Sequence, residues 1–125
     1  MSHPTSKVTK ALQLNHVIIA GKLFIRAANN LRAELDEEGN LKGFHCDQYA
    51  NGYGIPIEIN DVSYGIYVSE SIYNDLKNNT KGLEYIDAMV EGKLTPGNDV
   101  YNGKNFVYPI VLEADNIVIV KKQEI

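Results

Sequence analysis

Three groups of residues have types and spacing that could do chemistry, and the first surrounds the single cysteine. His45, Cys46 and Asp47 supply a base, a thiol and an acid, the parts of an activated nucleophile. Because adjacent residues on a strand point to opposite faces, His45 cannot reach Cys46 there. A working dyad would need His3 or His16 to be brought in by the fold. We therefore assign no catalytic residue and expect a small, semi-buried, unreactive thiol.

Metal and cofactor motifs are absent or incomplete. The sequence has no Cys-x-x-Cys or His-Glu-x-x-His spacing, which argues against a structural zinc. Acidic residues between Asp36 and Asp47 imitate a calcium loop, but Leu41 stands where that loop needs glycine. Gly52-x-Gly54 is followed by a predicted strand rather than by a helix that could hold a pyrophosphate. We expect neither a metal nor a cofactor.

The third group is aromatic and lies in two predicted loops, residues 47–54 and 95–105, which combine tyrosine with Asn-Gly pairs. Tyrosine on a polar loop offers a large contact area and a hydroxyl, and it has little side-chain entropy to lose. If the two loops lie at the same end of the sheet, they form a binding surface. The alternative is that Tyr49 and Tyr53 fold back over the core. The candidate binding residues are Tyr49, Asn51, Tyr53, Tyr101 and Asn102.

Charge and hydropathy exclude several classes of partner. The chain has 12 basic and 16 acidic residues, for a net charge of −4. Nucleic-acid binding usually needs a basic patch, so we expect no direct contact with nucleic acid. The longest apolar runs, residues 17–20 and 117–120, are far shorter than the roughly 20 residues of a membrane span. An acidic protein of this kind more plausibly meets another protein or a second copy of itself.

Length and cysteine content indicate one domain in a reducing compartment. The 125 residues fit a single domain spanning 1–125, and one cysteine cannot form an internal disulfide. The N-terminus is polar and has no apolar signal core, so we expect a cytoplasmic protein. Frequent Asn, Ile, Lys and Tyr are typical of phage and low-GC bacterial accessory proteins, which would place the protein in a host cytoplasm or virion.

The elements that must position these residues are mainly strands in the first half. Residues 14–20 form a predicted buried strand. Residues 22–36 fit either an amphipathic helix or, as we favour, a hairpin that turns at Asn29-Asn30. A turn at 36–40 leads into a strand at 41–46. Residues 55–59 form a predicted edge strand, because Pro56 cannot donate to a ladder, and Asn60-Asp61 turns the chain into a strand at 64–68.

The second half is predicted to hold two helices and a hairpin. Ser69 caps a helix at about 70–79, and Thr80 caps a second helix at about 81–91. Residues 106–113 and 117–122 form the closing hairpin. The predicted fold class is therefore α+β, a mainly antiparallel β-sheet with two short central helices and a C-terminal β-hairpin.

One segment resembles a known family. Residues 14–23, Leu-Asn-His-Val-Ile-Ile-Ala-Gly-Lys-Leu, resemble the first strand of single-stranded-DNA-binding barrels. The likeness ends after these ten residues, and the acidic charge opposes it, so the chain is not assigned to that family.

These observations favour a non-enzymatic protein-binding or assembly module, such as an accessory, inhibitor or structural component. No complete catalytic constellation is present, and the Tyr/Asn/Gly loops suit protein contacts. One alternative is a protein that binds a small planar ligand, such as a nucleotide, between Tyr49, Tyr53 and Tyr101. The other is a thiol-dependent enzyme that uses Cys46.

Overall fold

The computed structural model describes residues 16–122, with the backbone alone at 96, 97 and 102. This part of the chain contains seven strands, one 3-10 turn and one α-helix. The helix is α1 (Glu70–Asn79), and the 3-10 turn spans Ile25–Ala27. The strands are β1 (His16–Leu23), β2 (Asn29–Leu35), β3 (Leu41–His45), β4 (Gly52–Ile59), β5 (Val62–Ser69), β6 (Ile86–Asn102) and β7 (Asn105–Lys122).

Five of these strands close into a barrel. β1 pairs with β6 along its whole length and also with β4, through Lys22↔Glu58 and Leu23↔Ile57. The ring order is therefore β1-β4-β5-β7-β6 and back to β1. Every pairing is antiparallel except that of β5 with β7. β2 and β3 form a hairpin inserted between β1 and β4, and α1 connects β5 to β6.

Every second side chain along the barrel strands points inward, and these side chains fill the barrel. Ile55 and Ile57 of β4 and Ile66 of β5 are fully buried, and the intervening residues face outward. Burial of each such side chain contributes about 1.5–3 kcal/mol. Leu76 of α1 joins the same cluster, so the helix packs against the barrel core. Between residues 16 and 122, no helix is long and apolar enough to cross a membrane.

A second, smaller core lies outside the barrel. β6 and β7 are irregularly paired between Leu94 and Asn98, where the Thr95 hydroxyl donates to the carbonyl of Ile110 (2.9 Å). Beyond this point the β6–β7 hairpin packs with the β2–β3 hairpin over the outer face of β4 and β5. We call these two packed hairpins the hairpin layer. Its buried cluster consists of Leu31, Phe44, Tyr67, Val100 and Ile110.

Glycines let the hairpin layer approach the barrel closely. A Cβ on Gly54 would lie 2.5 Å from Cδ1 of Leu31 and 2.8 Å from the hydroxyl of Tyr108. A Cβ on Gly65 would lie 2.9 Å from both Tyr108 and Ile110. Any side chain at these two positions would therefore displace the layer, whose Tyr108 is only 2% exposed.

The predicted α+β class with two helices is wrong. The described chain is mostly β-structure with one helix, and its sheet is mixed because β5 and β7 run parallel. The predicted helix at 81–91 is wrong because Ile86, Ala88 and Val90 alternate as inward residues of β6. Thr80 instead ends α1: its hydroxyl donates to the carbonyl of Leu76 (2.7 Å).

Three further predictions are wrong in the hairpins. Asn29 and Asn30 do not form a turn; the chain turns at the 3-10 element, and both residues begin β2. The predicted loop at 95–105 belongs mostly to β6. The predicted closing hairpin is instead the single strand β7.

Pro56 does not mark an edge strand. β4 is an interior strand that pairs with β5 on one side and with β2 and then β1 on the other. Pro56 lies where the partner changes from β2 to β1, and its carbonyl accepts from the N–H of Phe24 (2.9 Å). The N and the C=O of a strand residue face the same side of the strand. The N–H that Pro56 lacks would therefore point to the place where the partner of β4 changes from β2 to β1.

Several local predictions are confirmed. The Ser69 hydroxyl accepts from the N–H of Ile72 (3.3 Å) at the start of α1. Asn60 and Asp61 both have positive φ (51° and 64°) in the β4–β5 turn. The turn at 36–40 and the strand that follows it are present, with β3 ending at His45. The strand predicted at 14–20 is present as β1, with residues 14 and 15 outside the described residues, but its predicted burial is wrong, because Ile18 is 58% exposed.

Candidate functional site

The most exposed aromatic side chains lie on two connections of the barrel. In residues 16–122, three aromatic side chains are more than a third exposed: Tyr49 (68%), Phe106 (56%) and Tyr101 (50%). Tyr49 lies between β3 and β4, where its N–H donates to the carboxylate of Asp47 (2.9 Å). The predicted loop residues Tyr49 and Tyr101 are therefore both accessible.

The tip of the β6–β7 hairpin carries an aromatic pair. Tyr101 and Phe106 are register partners, with ring centroids 5.8 Å apart in an edge-to-face arrangement. Gly103, with φ of 68°, and exposed Lys104 form the turn between them. Sequence reasoning missed Phe106, although a hairpin turning at Gly103-Lys104 would have placed it opposite Tyr101. The side chain of Asn102, a predicted binding residue, lies outside the described part.

Asn51 has a structural role. Its side-chain oxygen accepts from the N–H of Ala33 (3.0 Å) and from the hydroxyl of Tyr67. Its side-chain NH2 donates to the carbonyl of Ala33 (3.2 Å). Asn51 thus pairs with β2 as a backbone group would and ties it to β5. Burial raises the pKa of Tyr67, and the nearby Glu113 adds to this effect, so the hydroxyl stays a donor.

Tyr53 is half-buried and packs against the barrel core. Its ring stacks on Tyr73 of α1, with centroids 3.7 Å apart and planes 21° from parallel. The ammonium of Lys77 lies 6.0 Å from the centroid of the Tyr73 ring. The alternative in which a loop tyrosine folds back over the core therefore describes Tyr53, whereas Tyr49 is exposed.

An ion-pair network covers the outer surface of the β2–β3 hairpin. Arg32 pairs with Asp47 (3.0 Å) and with Glu34 (3.2 Å). Lys42 (3.3 Å) and His45 (2.9 Å) also contact the Glu34 carboxylate. Acids thus match the cations of this surface, which presents no surplus of positive charge.

These contacts lower the pKa values of both carboxylates in the network, those of Glu34 and Asp47. The Lys42 ammonium, and then Arg32, lower the pKa of Glu34 below its ordinary value. The backbone N–H of Tyr49, and then the Arg32 guanidinium, lower the pKa of Asp47. Both carboxylates are therefore ionised at neutral pH.

Cys46 lacks the surroundings of a nucleophile. It is exposed, and partial burial of its sulfur, together with the charge of Asp47, raises the pKa of its thiol. A reactive cysteine needs the opposite shift. The neighbouring His45 contacts Glu34, and His3 lies outside the described residues. Within residues 16–122, no three His, Cys, Asp or Glu side chains are grouped to hold a metal ion.

Comparison with known proteins assigns no relative. No protein-family model matches the chain, and neither a curated protein nor a solved structure is significantly similar to it. The connectivity of the barrel and the chemistry of its exposed surfaces are therefore the basis for a functional proposal.

Proposed function

We propose that this protein binds single-stranded nucleic acid with aromatic side chains on two connections of an OB-type barrel. The first support is connectivity: a five-stranded ring, with α1 between the third and fourth barrel strands along the chain. OB-folds are five-stranded Greek-key barrels. Their loops between strands one and two, and between strands four and five, bind oligonucleotides and oligosaccharides.

The observation that carries the proposal is the position of the exposed rings. Tyr49 belongs to the connection between the first and second barrel strands, β1 and β4. Tyr101 and Phe106 belong to the hairpin that joins the fourth and fifth, β6 and β7. Base stacking on such rings is worth about 1–3 kcal/mol per base and tolerates any sequence.

The hairpin layer limits where a strand can bind. OB-folds also use the face of their second and third strands, which here are β4 and β5. Tyr108 and Leu31 cover that face. The proposed path for nucleic acid therefore runs over the outside of the hairpin layer.

The proposal departs from the expectation, based on net charge, that no nucleic acid binds. The net charge of a protein indicates how strongly it attracts the phosphates of a nucleic acid. It says nothing about base stacking on aromatic side chains. Lys104 stands between Tyr101 and Phe106, whereas Arg32 and Lys42 are matched by acids. We therefore expect one or two phosphate contacts and a shallow salt dependence, with a slope of log K against log salt of about −1.

Fluorescence anisotropy with a labelled oligothymidylate of about 16 nucleotides tests the proposal. We expect Tyr49→Ala, Tyr101→Ala and Phe106→Ala each to weaken binding by about 1–3 kcal/mol. Tyr101→Phe keeps the ring and should retain affinity. Val62→Ala removes an exposed apolar side chain (49%) far from both connections in the fold and should have no effect.

Two results would contradict the proposal. One is no change in anisotropy with the wild-type protein at low salt, for either the DNA or the matching RNA oligomer. The other is equal binding by the wild type and all three alanine variants, with circular dichroism showing each variant folded.

A second candidate is the protein-binding module indicated by the sequence. The observation that favours it is a different surface, the outer face of β1, β6 and β7, where several large apolar side chains are exposed together.

A further inference from the structure

A small pocket lies where the C-terminal end of α1 meets the 3-10 turn that follows β1. Ile25 (4% exposed), Leu83 (7%) and the ring of Tyr73 form its apolar wall. We call it the α1 pocket. Its volume is about 190 Å³. Sites for drug-sized ligands measure about 300–1,000 Å³, so the α1 pocket has room for a single ring.

Three exposed cations surround the α1 pocket: Arg26, Lys77 and Lys81. Within residues 16–122, none of the three makes an ion pair. The described residues that line the pocket include no acid, and Asp75 of α1 faces the cleft between α1 and β7 instead. Glu84 lines the adjoining depression together with Arg26. Three cations against this one acid leave a local surplus of two positive charges.

The helix dipole accounts for one of these cations. Lys77 is in the last turn of α1, where a cation offsets the negative end of the helix, and its ammonium lies near the Tyr73 ring. Lys81 follows the helix, and Arg26 belongs to the 3-10 turn, a separate element. The position of Arg26 at the pocket is therefore not a requirement of α1. An apolar wall with unmatched cations around it suits an anion that carries an apolar group.

We propose that the α1 pocket binds a phosphate monoester carried on a single aromatic ring. The ring would lie against Ile25, Leu83 and Tyr73, which removes apolar surface from water. A phosphate monoester carries about −1.5 to −2 charges at pH 7, which matches the local surplus. The planar guanidinium of Arg26 suits two of its oxygens at once. The α1 pocket shares no residue with the two aromatic connections, so this proposal is independent of nucleic-acid binding.

Titrations of the wild-type protein followed by heteronuclear NMR test the ligand chemistry. The probes are phenyl phosphate, inorganic phosphate, benzoate and phenol. We expect phenyl phosphate to shift the amide signals of Lys81 and Gly82. It should bind at least about tenfold more tightly than inorganic phosphate, because only phenyl phosphate buries a ring. Benzoate has one charge and should bind more weakly than phenyl phosphate, and phenol has none and should not bind measurably.

Variants that remove one charge test the position of the site. Arg26→Gln and Lys81→Gln should each weaken the binding of phenyl phosphate about fivefold or more, because each removes a charge-assisted contact. Lys104→Gln is the matched control: it removes one exposed cation from the β6–β7 hairpin and should leave this affinity unchanged. Circular dichroism checks that all three variants are folded.

Other uses of these cations would give distinct results. No binding of phenyl phosphate, together with a loss of oligothymidylate affinity in Arg26→Gln and Lys81→Gln, would show that the cations contact a nucleic-acid backbone. Equal affinity for phenyl phosphate and inorganic phosphate would show a general anion surface, and tighter binding of benzoate would show a carboxylate site. Equal weakening by Lys104→Gln would show an effect of overall charge. Each of these outcomes refutes the proposal, as does the absence of any binding.

Discussion

Two outer faces of the same barrel differ in how they meet their surroundings. The face of β4 and β5 carries Gly54 and Gly65, and the hairpin layer covers it closely with Tyr108. The face of β1, β6 and β7 carries the exposed side chains of Ile18 and Val118, and no other part of residues 16–122 covers it. Small residues therefore mark the face that the chain covers itself. Large exposed apolar residues mark a face that no other described part of the chain covers.

The largest expected effect comes from removing the ring that seals the covered face. Tyr108→Ala should lower the free energy of unfolding by about 3–5 kcal/mol, because it leaves a cavity over two glycines that cannot fill it. Tyr108→Phe loses only the contact with the Asn29 amide (3.3 Å) and should cost about 1 kcal/mol. Urea unfolding of both variants measures this. If Val118→Ala on the bare face costs as much, the two faces do not differ as described.

Adding a methyl group to the covered face should have a smaller effect. Gly65→Ala forces Tyr108 and Ile110 to move and should cost about 1–3 kcal/mol. Gly43→Ala is the matched control, because the nearest atom to its added Cβ is 4.0 Å away. Thermal or urea unfolding should show Gly43→Ala unchanged to within about 0.5 kcal/mol. Equal losses at the two glycines would show that close packing is not what excludes a side chain.

The tie between the hairpin layer and the barrel can be weakened at Asn51. Asn51→Ala removes its three hydrogen bonds to Ala33 and Tyr67 and should cost about 1–3 kcal/mol. Oligothymidylate affinity of the folded protein should be unchanged, unlike that of Tyr49→Ala. A loss of affinity at full stability would instead make Asn51 a ligand contact.

Acid should produce the smallest effect, confined to the outer surface of the hairpin layer. The folded pKa values of Glu34 and Asp47 lie below their ordinary values, so the unfolded chain binds more protons as pH falls. Their stabilisation is therefore present above about pH 4 and is lost below it. Glu34→Gln should flatten this acid-limb decline in urea midpoint. Glu37→Gln, at an exposed turn residue, should leave it intact, and identical profiles for the two variants would refute the assignment.

Elements specified by short-range chemistry were predictable. Ser69 indicates the start of α1, because its hydroxyl accepts from an otherwise free N–H of the first helical turn. Asn60-Asp61 indicates a turn, because both residues tolerate positive φ. The prediction of a second helix was wrong because the sequence fits two patterns. Leu83, Ile86 and Val90 fit a helical stripe, while Ile86, Ala88 and Val90 fit a strand equally well. Only pairing with β1 and β7 decides between them.

The candidate site was predictable in part, for the same reason. Tyrosine beside Asn-Gly identified the loops that hold Tyr49 and Tyr101. The inward turn of Tyr53 depends on Tyr73, which is brought near by α1, and the role of Asn51 depends on Ala33 across a strand ladder. Such long-range contacts leave no local signature. Barrel closure likewise depends on β1 pairing with both β4 and β6.

That double pairing of β1 has a consequence for the speed of folding. The β6–β7 hairpin closes a short turn and can form in about 1–10 μs. β1 must find partners on both sides across long stretches of chain, and the entropy of closing those loops is lost before any contact is gained. We therefore expect barrel closure to be the slow step. Substitutions at Leu23, where β1 meets both partners, should then chiefly slow folding.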